Sequence, residues 1–310
     1  METGAGRRRL KVGLQLPEVE YVASWKQHLE MARLAEEIGF DSLWLGDHLL
    51  YRYPGEPTRG PWEAWTFLSA LAASTEKVQL GPLVLCASFR NPALTAKMAE
   101  TIDEVSGGRF VLGLGAGWHQ PEYDAFGLPF DRRFQRFAEA FTIITDLVRT
   151  GRSDFRGEFH QAPDCEIVPR GPRAGRMPIM IGSFGDRVLR LTLPHVDSWN
   201  TWFADFGNTV AGLQPLMAKV DRICAEVGRD PREIERTAAL LVTGPGGSYR
   251  FTGAAAERAQ VGIGGTPEQV AARLQEFHTA GIDHIQIVLD PITPEAIAWL
   301  APAIALLKGG

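Results

Sequence analysis

The sequence predicts an α/β fold, specifically a closed (β/α)8 TIM barrel with insertions, and three observations carry that expectation. Short apolar segments rich in branched residues alternate with amphipathic segments of helical period along the whole chain. The stretch 78–122 holds a complete strand–helix–strand unit, whose connecting helix requires its two strands to be parallel. A turn of Gly, apolar residue and Asp precedes a strand at Gly39-Phe40-Asp41 and again at Gly281-Ile282-Asp283, which suits tight helix-to-strand connections. Eight strands each followed by a helix favour closure over an open doubly wound sheet.

In order, strands are expected at 10–16, 40–45, 78–87, 110–114, 178–181, 196–202, 234–243 and 285–289. Helices are expected at 25–38, 61–74 and 92–105, the last opened by Asn91 as N-cap with Pro92 in the first turn and stopped by Gly107-Gly108. The longest, 130–150, carries Phe134, Phe137, Phe141, Ile144 and Leu147 on one face. Further helices follow the strands ending at 181 and 202. Thr266-Pro267-Glu268-Gln269 reads as a capping box, and a last helix begins near Thr293. Two segments break the rhythm. The first, 152–177, contains a hairpin candidate at 155–159 and then Arg170, Arg173 and Arg176 among glycines and prolines. The second, 244–265, is glycine-rich and reads equally as a mobile lid or an inert insertion.

At 310 residues and 45% hydrophobic content the chain supports a large core, and it reads as one domain, 1–310. A net charge of -5 argues against nucleic acid or an anionic membrane as partner. Cys86, Cys165 and Cys224 are too few and too scattered for a disulfide framework or a metal site. Arg7, Arg8 and Arg9 are followed by no signal-like apolar region and no run spans a bilayer, so a cytoplasmic protein is expected.

Barrel chemistry sits at the carboxyl ends of the strands. That rule selects Gln15, Asp47, His48, Ala87, Arg90, the segment 115–119, the segment 182–185, Thr201 and Trp202. Adjacent Asp47 and His48 are expected either to orient each other and pass a proton, or merely to cap a turn and pack over the mouth. Gly113-Leu114-Gly115-Ala116-Gly117 is not a dinucleotide fingerprint: Trp118 stands where the last glycine belongs, and Pro121 is expected to bar an immediate helix. Its bare backbone either turns the chain or admits a flat ring. Gly182-Ser183-Phe184-Gly185 precedes a helix, so it offers amides to a phosphate or an ordinary cap in Ser183. Cys86 reads as a small buried apolar residue. Aromatic residues near the mouth, including Tyr51, Tyr53, Trp118 and Trp202, suggest an apolar, ring-shaped pocket.

Leu80-Gly81, Phe89-Arg90-Asn91-Pro92, Ala96-Lys97, Thr101-Ile102-Asp103, Ser106-Gly107-Gly108-Arg109 and the 113–118 loop, in that order, resemble the luciferase-like monooxygenase family. The likeness runs from about 11 to 290 and is strongest to the branch using the deazaflavin coenzyme F420. It implies an oxidoreductase transferring hydride between F420 and a small organic substrate, with Asp47 and His48 beside the reactive carbon. It implies a non-prolyl cis peptide at Leu83-Val84 behind the ring, although Pro82 stands where relatives often carry Thr or Ser. Gly115, Ala116, Gly117, Trp118, Glu122, Gly182 and Ser183 complete the implied cofactor site, with Arg90 or Arg187 as phosphate partners. No metal is implied, and a homodimer is expected by association only. Two alternatives share the scaffold: a monooxygenase using reduced FMN and oxygen, and a non-catalytic flavin-binding barrel.

Overall fold

Every expected strand forms in the structure, a computed structural model that describes residues 8–247 and 261–309. The barrel strands are β1 (Lys11–Gln15), β2 (Ser42–Leu45), β3 (Gln79–Pro82), β4 (Leu85–Cys86), β5 (Leu112–Gly115), β8 (Ile179–Gly182), β9 (Ser198–Trp202), β10 (Glu235–Thr243) and β11 (His284–Asp290). They form one sheet in the order β3-β2-β1-β11-β10-β9-β8-β5-β4, and every strand pair in it is parallel. β3 and β4 are two halves of the third barrel strand, divided at Leu83-Val84, whose peptide bond is cis. One half pairs with β2 and the other with β5, and a parallel bridge from Leu80 to Phe110 joins the ends of the sheet. The sheet therefore closes as a (β/α)8 barrel.

The helices start where their caps dictate. α1 (Trp25–Ile38) opens on a Ser24–Gln27 capping box and ends at Gly39, whose φ of 100° admits few side chains. α2 (Ala64–Ser74) begins later than expected at 61, because the Glu63 carboxylate accepts the Trp65 and Thr66 amides. α3 (Pro92–Val105) is capped by Asn91 as expected. α4 (Gln120–Phe126) corrects the expectation that Pro121 bars a helix: proline is tolerated in a first turn, where amides have no helical partner anyway. α5 (Arg133–Thr150) buries Phe137, Phe141, Ile144 and Leu147. The remaining helices are α6 (Asp186–Thr192), α7 (Val210–Glu226), α8 (Pro267–Thr279), α9 (Pro294–Trp299) and α10 (Ala301–Lys308).

The insertion at 152–177 contains the antiparallel hairpin β6 (Arg152–Arg156) and β7 (Gln161–Glu166). Its arginines are fasteners: Arg170 Nε reaches buried Glu100 at 2.8 Å, and Arg173 pairs with buried Asp103. The expectation of a lid over 244–265 falls mainly on 248–260, which lie outside the described residues. Among the described residues no helix is long and apolar enough to cross a membrane.

Ser106-Gly107-Gly108-Arg109 lies ahead of β5, at the barrel end opposite the strand carboxyl termini. Its part is architectural. Arg109 donates to the carbonyls of Ala72, Thr75, Val78 and Ser106 and to the Thr75 hydroxyl, lacing the α2–β3 turn to the α3–β5 turn. Arg109→Met should therefore destabilise the fold by about 2–4 kcal/mol, since it leaves several carbonyls short of donors. Denaturant unfolding checks this. The folded variant should bind cofactor as the parent does.

Candidate active site

Gly46 carries the chain out of β2, and the next two residues diverge. Asp47 is buried at 3% exposure and faces the third strand. Its Oδ1 and Oδ2 each accept an Arg90 guanidinium N–H at 2.8 Å, and Oδ2 also accepts the Cys86 amide at 2.9 Å. Arg90 reaches Glu63 as well, at 2.5 Å. Among the described residues Asp47 and His48 share no hydrogen bond, and Asp47 braces the loops after β2 and β4 with α2. Arg90 is likewise paired with two carboxylates.

His48 turns to α4 instead. Its Nδ1 lies 3.0 Å from Glu122 Oε1 and 3.2 Å from Oε2, and Oε2 also accepts the Leu49 amide at 2.8 Å. Glu122 is 1% exposed, so it fixes the imidazole from beneath. Burial of His48 opposes protonation, but the Glu122 hydrogen bond, helped by Glu18 and Asp47, outweighs it and raises the His48 pKa.

A second carboxylate on this side went unnoticed in the sequence. Glu18 Oε1 accepts the Tyr51 hydroxyl at 2.9 Å, and its Oε2 accepts Gln15 Nε2 at 3.3 Å. Burial and then Glu18 push the Tyr51 phenol well up, so it remains a donor. Glu18 lies three residues beyond the end of β1, and the strand-end rule, extended past Gln15, would have reached it. Rings crowd here. Tyr51 lies 4.4 Å from His48 between centroids, Trp118 lies 5.5 Å from His48, and Tyr53 lies 5.2 Å from His119. Of the other aromatics, Trp44, Trp65, Trp199 and Phe203 are core.

The glycine loop and the cis peptide converge on Val84. A Cβ at Gly115 or at Gly182 would come within 2.8 Å of Val84 Cγ2. Both strand ends are thus bare, and the Val84 isopropyl stands between them as an apolar platform. Gly117 has φ of 73°, and a side chain there would overlap Tyr123 Oη and Cys86 Sγ. Arg133 Nη1 holds the Gly117 carbonyl at 2.9 Å. Cys86 is buried, and burial pushes its thiol up to about 12, as a small core residue would show. Ser183 does not cap α6: the N-cap is Gly185, and the Ser183 hydroxyl accepts the Gly185 amide at 3.3 Å. Arg187 stacks on Phe134 with its guanidinium 3.9 Å from the ring centroid.

The family model for luciferase-like monooxygenases matches residues 9–243. The chain belongs to the luciferase-like monooxygenase family. Pyrimidine monooxygenase RutA of Stutzerimonas stutzeri is 38% identical over 172 residues, which are 54% of this chain and 47% of that protein. The chain thus spans about half the length of the curated relatives it matches. An F420-dependent secondary alcohol dehydrogenase in complex with an F420-acetone adduct aligns with a TM-score of 0.79 at 20% identity, over 96% of this chain and 99% of that one. The oxygenating constituent of 3,6-diketocamphane monooxygenase from Pseudomonas putida, in complex with FMN, aligns with a TM-score of 0.73 at 14% identity, over 96% and 98%. At such identities these structures establish the luciferase-like barrel and leave the cofactor open.

The His48–Glu122 pair makes a direct prediction. In histidine-selective NMR the His48 midpoint should lie above the ordinary 6.5, and Glu122→Gln should lower it. Because the folded value is the raised one, the pair's contribution to stability is complete below about 6.5 and is lost as pH climbs through the raised midpoint. A midpoint unmoved by Glu122→Gln would break the assignment.

Proposed function

We propose that this protein is a flavin-dependent monooxygenase that uses reduced FMN and oxygen on a small organic substrate. The observation that carries this choice over F420 is the commitment of Asp47. Hydride transfer from a deazaflavin was expected to draw on an Asp47–His48 relay, and both Asp47 oxygens are occupied by Arg90. The family's name and that of the 38%-identical relative support the same reading.

The residues present suit a flavin. The bare strand ends at Gly115 and Gly182 leave Val84 as a flat apolar support for a ring, with the 115–117 backbone alongside. Gly182 and Ser183 would hold the phosphate end. Arg187, which has no carboxylate partner among the described residues, is the cation proposed for it. Reduced FMN, when bound, supplies the electrons for oxygen activation. The protein's share is positional and protic. Glu122 accepts from Nδ1 of His48, which leaves Nε2 as the ring nitrogen that takes up and releases a proton on the substrate side. A second reading, F420-dependent hydride transfer, would have to draw its proton from His48 alone, without Asp47.

Titration of the purified protein with FMN and with F420, followed by assay with photoreduced FMN, tests the proposal. Saturable FMN binding and substrate oxidation that requires oxygen are expected. His48→Ala should lower turnover by roughly 10²–10⁴-fold, with FMN affinity within a few-fold. Anaerobic turnover with F420, and none with FMN, would replace this reading with the second one.

A further inference from the structure

Of the arginines set among glycines and prolines late in the insertion, Arg170 and Arg173 are consumed in fastening it. Arg176 is not. It is exposed, and its guanidinium has no hydrogen-bonding or ion-pair partner among the described residues. It lines an open cleft of about 390 Å³ at the barrel end opposite the mouth, where the turns ahead of β8, β9 and β10 meet. Arg149, His195, Asp197 and Arg229 line the same cleft. Gly175 has a φ of 77°, and a Cβ there would come within 2.8 Å of the Arg149 carbonyl oxygen, so bare backbone draws the insertion over the end of α5. Arg149 is occupied: it donates to the carbonyls of Met177 and His195 and, at 2.6 Å, to Asp197, whose Oδ2 also accepts the Ile179 amide. Arg229 is only half engaged. Its Nε lies 3.0 Å from Glu233 Oε2, but the geometry makes no hydrogen bond, and that buried nitrogen is left without an acceptor.

We infer that this cleft is a binding site for a small phosphate ester, held at its phosphate by Arg176, Arg229 and His195. Guanidinium groups gathered on one face repel each other, and an anion relieves that repulsion while supplying the acceptors they lack. A carboxylate offers two coplanar oxygens, which a single guanidinium fork satisfies. A phosphate offers three terminal oxygens that accept from several directions. The open donors here come from three separate turns, Arg176 ahead of β8, His195 ahead of β9 and Arg229 ahead of β10, so the tetrahedral oxyanion fits them better. The cleft is larger than a bare phosphate needs and falls in the range of small-molecule sites, which leaves room for the organic part of an ester. The site is separate from the proposed cofactor site: the cleft lies ahead of the first residue of β8, and Gly182 is the last. A ligand there clips three turns together and so stabilises the fold.

The test titrates glycerol 3-phosphate into the full chain by calorimetry at constant ionic strength, with succinate as the dicarboxylate control. Excess FMN is present throughout, so that the phosphate site proposed at the mouth is filled. Saturable binding of glycerol 3-phosphate is expected, with succinate weaker by about tenfold. Arg176→Gln should weaken the phosphate ester by about tenfold or more, because it removes a charge-assisted fork, and Arg229→Gln should do the same. Thermal unfolding gives a second reading. The parent's midpoint should rise with glycerol 3-phosphate, and that rise should vanish in Arg176→Gln, whose unliganded midpoint should match the parent's because Arg176 has no internal partner to lose. The variants locate the site whether or not FMN binds. An absence of saturable binding, succinate binding as tightly, or an affinity unchanged in either variant would each overturn the inference.

Discussion

A buried carboxylate with three hydrogen bonds to one strand-end loop is the constraint on which the candidate site depends. Glu122 sits in the first turn of α4, where a carboxylate also complements the helix's amide end. By holding both His48 Nδ1 and the Leu49 amide it fastens the loop after β2 onto the helix after β5. Removing one partner of a buried charged pair leaves the other uncompensated, so the two elements are tied more firmly than a surface ion pair would tie them. The same placement brings His119 and Trp118, the residues just ahead of α4, against Tyr51 and His48.

Asp47 and Arg90 supply a matching brace on the other side. The bidentate pair, with the Cys86 amide and Glu63, joins the loop after β2 to the third strand and to the start of α2. Between the two braces, His48 is positioned with one nitrogen bound and one open, while Val84 fills the gap between the bare strand ends of β5 and β8. The division of labour is electrostatic: Asp47 is spent on architecture, and Glu122 sets the charge and orientation of the imidazole.

Much of this was legible in the sequence because local rules carried it. Helical period, the Asn91 cap, the Thr266 box and Gly39 act over a few residues, and the structure follows them. The site was less legible because its contacts are long-range. Asp47 and His48 are neighbours in the chain, but they leave an irregular segment in different directions. Their true partners lie far along the chain, Arg90 for one and Glu122 for the other. Glu18 carries no motif at all, and only the bare backbone at Gly46, where a Cβ would strike the Glu18 carboxylate, hints at it. Pro121 misled because a residue that stops a helix interior is welcome in its first turn. Arg109, quoted in the sequence only as part of the family resemblance, turns out to lace two turns at the far end of the barrel.

The central claim, that Glu122 and not Asp47 governs His48, is tested most directly by a double-mutant cycle of His48→Gln and Glu122→Gln on denaturant unfolding, run at pH 6 and again at pH 9.5. The account predicts a coupling of about 1–3 kcal/mol at the lower pH that shrinks towards the higher one as the imidazole gives up its proton. Additivity within about 0.3 kcal/mol at pH 6, or a coupling indifferent to pH, would contradict it.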